Sequence, residues 1–339
     1  MLWTLYHRAA EARRPDAVLA DPRAVELVHG FDFPFAGAGL ETQFSRVDNG
    51  WVHWLSVDLD ASIAARRRLL DATDARLMVA QAQTTWGVGE YELIAGRLEP
   101  ASREIVDRAQ VTAGDRVLDL ACGTGNAALI AAQRGAAVIG VDFEPRLLAI
   151  AADRARHAGL RVEWVCAELT TATGAFSVVL SAFGVMYGPC QDRAAGAVAR
   201  CCEPGARVVL ASWVPGSFMP AMGATLGPYL PPPPPGGGPP VRWGEPEGAR
   251  GLLAPHGVSV TESVPSSLSL SFADRGAAVA FLLATAGHVL AEEPRLRHEG
   301  RWDHLRADLE LLVAQRDSST GAGVTLECEY LVVLAEKAS

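Results

Sequence analysis

Of the 30 basic residues in this 339-residue chain only Lys337 is a lysine, and 39 acidic residues outnumber them for a net charge of −9. A nucleic-acid-binding face needs clustered positive charge to overcome such a balance. The longest basic run is Arg66-Arg67-Arg68, and three adjacent side chains fan around a helix instead of lining one side of it. No nucleic-acid partner is expected. No apolar run approaches the ~20 residues a spanning helix needs. Met1 to Arg14 mixes Arg and Glu in a short amphipathic pattern, without the apolar core and cleavage site of a signal peptide. Neither a membrane nor export is expected, and the expected compartment is cytoplasmic. The six cysteines (Cys122, Cys166, Cys190, Cys201, Cys202, Cys328) contain no CxxC pair and no His at metal-ligand spacing. Reduced thiols and no metal site follow as expectations. The scarcity of lysine, with abundant Ala and Gly, points to a GC-rich genome.

What is present is a chain 49% hydrophobic and 20% charged, able to bury a sizeable core and long enough for one large domain or two ordinary ones. Three stretches differ in character. Residues 1–83 carry a helix opened by Asp21-Pro22 and closed at His29-Gly30, then an alternating strand from Val52 to Val57 that ends in Asp58. From about Thr84 to Trp213 strands and helices alternate. Strands are predicted at Arg116–Leu120, Ala137–Val141, Arg161–Cys166, Phe176–Ser181 and Arg207–Trp213, with helices at Asn126–Arg134 and Arg146–His157. Short apolar strands alternating with helices predict a parallel sheet covered on both faces. The last third opens with a low-complexity loop from Pro231 to Pro240. Strands are predicted beyond it at Val258–Val264, Leu268–Phe272 and Glu329–Ala335, and helices at Ala277–Leu290 and Trp302–Ala314.

The chemistry-bearing segment is Val117-Leu118-Asp119-Leu120-Ala121-Cys122-Gly123-Thr124-Gly125-Asn126, a strand running into a Gly-x-Gly turn that opens a helix. The glycines let backbone approach a ligand, and the helix N-terminus offers free N–H groups. Ala128 stands where the dinucleotide fingerprint has its third glycine. Asp119 sits where a pyrophosphate would be repelled and a cationic amino-acid moiety welcomed. The second strand ends Gly140-Val141-Asp142-Phe143, placing a carboxylate about 20 residues past the glycines, suited to a ribose diol. The third ends Cys166-Ala167-Glu168, where a carboxylate suits an adenine amine. Three acids at successive strand ends describe a site for S-adenosylmethionine (SAM) better than one for NAD.

With these residues in view, residues ~84–339 resemble the class I SAM-dependent methyltransferases, in particular the UbiE-like actinobacterial group. The resemblance rests on Trp86-Gly87-Val88-Gly89-Glu90-Tyr91, the DLACGTGN loop, Val141-Asp142, Trp164 to Glu168, Ser181-Ala182-Phe183-Gly184-Val185-Met186-Tyr187, and Trp243-Gly244-Glu245 after the Pro-rich loop. It implies an α/β, Rossmann-like, seven-stranded, mostly parallel sheet with its last strand antiparallel, and a lid between the fifth and sixth strands. The lid and substrate region would fall at about 214–320. The resemblance places Trp86, Tyr91, Asp119, Ala121, Gly123, Thr124, Gly125, Asn126, Asp142, Phe143, Ala167, Glu168, Ser181 and Phe183 at the cofactor. Phe183 and Tyr187 would flank the sulfonium, where aromatic faces stabilise a cation. Two departures stand out: a short Glu168–Phe176 connection with Glu168 for the usual Asp, and Ser177 where the family normally has Asp.

Residues 1–83 resemble a truncated leucine-carboxyl or polyketide O-methyltransferase, through Arg14 to Ala24 and Gly39-Leu40-Glu41-Thr42-Gln43-Phe44. The helix and strand that should precede Gly37-Ala38-Gly39 are missing, so the segment is expected to be non-catalytic and to cover or dimerise the site. A homodimer is one expected assembly. The expected reaction is methyl transfer to a small-molecule acceptor, a secondary metabolite, by in-line displacement that leaves S-adenosylhomocysteine, with oxygen ahead of nitrogen or carbon. Among His256, His288, His298 and His304, His288 lies on a mostly apolar helix and leads as general base, with Tyr187 the other catalytic candidate. Two rivals are a SAM-dependent enzyme that uses the cofactor without methyl transfer, such as a cyclase, and a non-catalytic scaffold.

Overall fold

The computed structural model describes residues 88–188, 190–231 and 240–338. The helix and strand expected in residues 1–83, Trp86, and the domain boundary at residue 84 lie outside the described residues. Nine helices of eight or more residues and seven strands are found among the described residues. In chain order they are α1 (Tyr91–Arg108), β1 (Arg116–Leu120), α2 (Asn126–Gln133), β2 (Ala137–Asp142), α3 (Pro145–His157), β3 (Glu163–Cys166), β4 (Phe176–Ala182), α4 (Gln191–Arg200), β5 (Cys202–Trp213), α5 (Phe218–Leu226), α6 (Pro246–Leu253), β6 (Val258–Phe272), α7 (Arg275–Thr285), α8 (Gly287–His298), α9 (Trp302–Arg316) and β7 (Val324–Lys337). None of the helices is long and apolar enough to cross a membrane by itself.

One sheet runs β3-β2-β1-β4-β5-β7-β6, parallel from β3 to β5, with β7 antiparallel to both its neighbours. Helices on both faces leave β1 and β4 no polar side to show, so Val117, Leu118, Leu120 and Val178 to Leu180 are buried. The chain leaves β1 toward β2 on one side and returns to β4 on the other. That reversal opens a crevice at the carboxyl ends of β1 and β4, where open α/β sheets bind ligands.

Three expectations are corrected. Val258–Val264 and Leu268–Phe272 form one strand, β6, paired with β7 from Val258 to Phe272. Pro265 is tolerated because β6 is the sheet edge, where a missing backbone donor costs no ladder bond. The single helix expected over Ala277–Leu290 is two, α7 and α8, crossing at 98°. The Ala284 carbonyl, which an unbroken helix would give to the N–H of residue 288, instead accepts from Glu90 N–H at 2.9 Å. The lid is also distributed differently: α5 and α6 lie between β5 and β6, while α7, α8 and α9 lie between β6 and β7.

Ser177 belongs to the opposite end of the sheet from the crevice, so its departure from the family pattern does not touch the adenine side. Its hydroxyl donates to Asp115 Oδ1 at 2.9 Å and accepts from Arg116 N–H at 3.0 Å. Asp115, 7% exposed, also accepts from Thr112 N–H at 2.7 Å and from the Arg207 guanidinium. Burial alone would raise the Asp115 pKa. The Thr112 and Ser177 hydrogen bonds and the Arg207 charge outweigh it and hold the group below the usual value. A depressed folded-state pKa contributes stability above the unfolded value near ~4 that is lost as the pH falls through the folded one. Asp115→Asn should lower stability at pH 7 by about 1–3 kcal/mol, with the gap to wild type narrowing below pH ~4. Denaturant melts across pH 3–7 check it.

Candidate functional site

At the end of β1 the backbone turns through Ala121 (φ +53), Gly123 (φ +54) and Gly125 (φ +80). Residues with side chains resist this region, so glycines occupy two of the three positions. Gly125 is also forced by packing, since a Cβ there would lie 2.6 Å from Cη2 of the Trp164 indole. Gly140 of β2 makes room for the same ring, its Cβ falling 2.5 Å from Cζ3. The turn is closed by hydrogen bonds from Gly125 N–H to the Cys122 carbonyl (2.8 Å) and from Cys122 N–H to the Val141 carbonyl (3.0 Å).

Two carboxylates hold this turn from below. Asp142, 6% exposed, accepts from Gly123 N–H at 2.8 Å and from Glu144 N–H at 2.9 Å. Asp119, 1% exposed, accepts from Ala128 N–H at 2.9 Å in the first turn of α2. Among the described residues no Lys, Arg or His is hydrogen-bonded to either. Burial, with the Asp142 charge adding, pushes the Asp119 pKa up to about 7, and burial likewise raises Asp142. Buried acids without a basic partner are costly, and this donor set suits a ligand that brings its own positive charge. S-adenosylmethionine, with a sulfonium and an ammonium, fits that requirement.

The crevice is narrow. Tyr91, Leu98, Ser102, Asp119, Ala121 and Phe183 are among the residues around a cleft of about 30 Å³, room for a water or two. The Tyr91 ring lies over the turn, with Cε1 3.4 Å from where a Gly123 Cβ would be. Tyr91 is thus the side chain that covers the glycine turn. The backbone ahead of Tyr91 is gripped on two sides: Glu90 N–H on Ala284 of α7, and the Gly89 carbonyl accepting from Arg146 Nη1 of α3 at 3.1 Å.

Across the crevice, β4 ends in Ser181, Ala182 and Phe183. Ser181 is fully buried and its hydroxyl is spent on backbone, donating to the Leu120 carbonyl (2.7 Å) and accepting from Val185 N–H (2.9 Å). It ties β1 to β4 and has no surface for a ligand. Phe183 is held at φ +58, an uncommon conformation for a large side chain, and stacks on Trp213 at 3.7 Å and 8°. Tyr330 meets both rings edge-on. Tyr187 follows on a short turn whose Val185 and Met186 are buried, while its own side chain is 45% accessible. Gln191 fastens that turn through its amide Nε2, which donates to the Met186 and Gly188 carbonyls at 3.1 and 3.3 Å.

The remaining predicted residues take varied places. Ala167 N–H donates to the Asp142 carbonyl at 2.9 Å, bringing the β3 end beside β2, where Phe143 follows Asp142. Glu168 caps the next turn, its Oε2 accepting from Thr170 N–H at 2.9 Å, so one of its oxygens is already engaged. Asn126 spends both ends of its amide, donating to the Ala95 carbonyl (2.7 Å) and accepting from Arg154 (2.7 Å). His288 is the second residue of α8, beside the kink that receives Gly89, and burial lowers its pKa. Its ring is not among those around the cleft. Sequence reasoning missed Gly184 and Arg154. A Cβ on Gly184 would fall 2.6 Å from the Ala121 Cβ, and its place after Phe183 is the one local signal. Arg154 reaches back across the loop with no local signal at all.

Comparison with known proteins comes to the same region. Residues 117–205 match the family model described as a methyltransferase domain. An uncharacterised protein of Mycobacterium tuberculosis is 32% identical over 270 residues, covering 78% of this chain and 97% of its own. The demethylmenaquinone methyltransferase of Thermus thermophilus is 41% identical over 118 residues, 33% of this chain and 54% of that enzyme. The YcgJ protein of Bacillus subtilis superposes with a TM-score of 0.50 at 13% identity, over 70% of this chain and 99% of that one, a likeness of fold.

The Asp119 geometry makes a stability prediction. A raised folded-state pKa means that stability falls as the pH rises from ~4 toward about 7 and levels off above. Asp119→Asn keeps an acceptor for Ala128 and removes that loss. Ligand-free Asp119→Asn should therefore gain on wild type by a few kcal/mol between pH 5 and pH 8, read from thermal melts, while binding SAM more weakly.

Proposed function

The chain belongs to the class I SAM-dependent methyltransferases, and on that premise we propose that it methylates an oxygen of a small-molecule acceptor belonging to secondary metabolism. Its cofactor is S-adenosylmethionine and its reaction class SAM-dependent methylation. The observation that carries the reading is the pair of buried acids, Asp119 and Asp142, set against the glycine turn without a basic partner. When bound, the cofactor supplies an electrophilic methyl group on a sulfonium, already activated for displacement.

The chain's own residues then bind, orient and exclude water. Asp142 and the Gly123 N–H fix the turn, Asp119 offers negative charge to the cationic end, and the Phe183 ring borders the crevice. Holding the acceptor in line with the methyl group supplies much of the acceleration, because the translational and rotational entropy is lost on binding and not at the transition state. A small acceptor suits a crevice roofed by Gly89 to Tyr91 and braced on the α7–α8 kink. Oxygen is favoured by the likeness of residues 1–83 to the polyketide O-methyltransferases; His288, off the cleft at the α7–α8 kink and kept neutral by burial, is the base for an acceptor that reaches that kink. A neutral amine needs no such base.

Incubation with methyl-labelled SAM and a panel of phenols, alcohols and amines tests the reading. Label transferred to oxygen, with one S-adenosylhomocysteine formed per product, supports it. Label on nitrogen or carbon overturns the choice of atom, and product formed with the cofactor unspent overturns methyl transfer. His288→Gln should lower kcat on the hydroxyl acceptor by about 10²–10⁴-fold, with the SAM dissociation constant unchanged.

A further inference from the structure

Four peptide groups lie between Cys122 and Asn126; Asp142 holds one through Gly123 N–H, and the Cys122 carbonyl holds another through Gly125 N–H. The other end of that second peptide is the Thr124 carbonyl. It accepts from Arg154 Nη1 of α3 at 2.7 Å, and the same nitrogen lies 3.2 Å from Thr124 Oγ1 and 2.7 Å from Asn126 Oδ1. Asn126 passes the connection on, its Nδ2 donating to the Ala95 carbonyl of α1 at 2.7 Å. One half-buried guanidinium therefore links α3, the turn and α1, and α1 begins with the Tyr91 that overlies Gly123.

This is an unusual use of an arginine. All three acceptors are uncharged, and among the described residues no carboxylate is hydrogen-bonded to Arg154. Burial lowers its pKa, with Glu99 at longer range opposing. A desolvated charge given to neutral acceptors contributes little net stability. What it does contribute is order. Thr124 lies between two residues at positive φ, and glycines at such positions lose the most conformational freedom when they are fixed. An unpinned turn would lose that freedom on binding the cofactor, at the expense of affinity.

We infer that Arg154 is a positioning residue of the cofactor site, pinning the Thr124–Asn126 backbone in its binding conformation and, through Asn126, registering α1 and Tyr91 against it. The inference rests on the cofactor assignment above. Arg154 is not among the residues around the crevice, so it acts through the turn and through Asn126.

The test uses the full chain with S-adenosylhomocysteine as probe. Arg154→Met should weaken binding at least tenfold by calorimetry. In the ligand-free protein it should speed amide hydrogen exchange at residues 123–128 while exchange in β1 and β4 stays at the wild-type rate. Arg154→Lys, which keeps the charge but whose shorter side chain ends about one bond short of the Nη1 position, should fall between. If Arg154→Met folds poorly, Arg154→Ala supplemented with millimolar methylguanidinium should regain a measurable part of the affinity, which a merely structural role would not. Affinity in Arg154→Met within twofold of wild type, or exchange at 123–128 unchanged, overturns the inference. Failure of the wild-type protein to bind SAM or S-adenosylhomocysteine overturns the cofactor assignment instead.

Discussion

Everything around the crevice is arranged to keep two carboxylates, Asp119 and Asp142, buried side by side at the ends of β1 and β2 without a basic side chain hydrogen-bonded to either. Burial and mutual repulsion both oppose ionisation there, and Asp119 answers by holding its proton to about pH 7. The backbone supplies what compensation exists: N–H groups of Gly123, Glu144 and Ala128 point at the carboxylates, and the turn takes the shape that lets them do so. A cationic cofactor completes an electrostatic arrangement that the protein alone leaves unbalanced.

The turn is surrounded by neighbours that constrain it from every side. Trp164 fills the space that Gly125 and Gly140 leave, Ser181 fastens β4 to β1, and Arg154 takes the Thr124 carbonyl. Above, Tyr91 lies on Gly123, and its approach is fixed by Glu90 on α7 and Arg146 on the Gly89 carbonyl. The kink between α7 and α8 and the cover over the cofactor turn therefore share a hydrogen bond.

Much of this was legible in the sequence because parallel strands and their turns are local signals. Arg116 to Leu120 running into Gly123 and Gly125, and Ala137 onward into Asp142, announce strand, turn and helix within a few residues. Other features depend on partners far along the chain. The break at Ala286 requires Glu90, nearly 200 residues away. Pro265 reads as an interruption until β6 is known to be an edge. Ser177 looks like a lesion in the site until it is seen with Asp115 at the other end of the sheet. Side-chain roles at Ser181 and Asn126 were obscured for the same reason, because their hydrogen bonds go to backbone that only the fold brings near, whereas Glu168 caps its own next turn.

The central claim is that Asp119 is protonated in the ligand-free crevice and ionises when a cation arrives. Calorimetric titration with SAM at pH 6.5, in two buffers of different ionisation enthalpy, reads this directly as protons exchanged per cofactor bound. The account predicts net release of a large part of one proton by the wild-type protein and none by Asp119→Asn. Binding with no proton release, or equal release by both proteins, would contradict it.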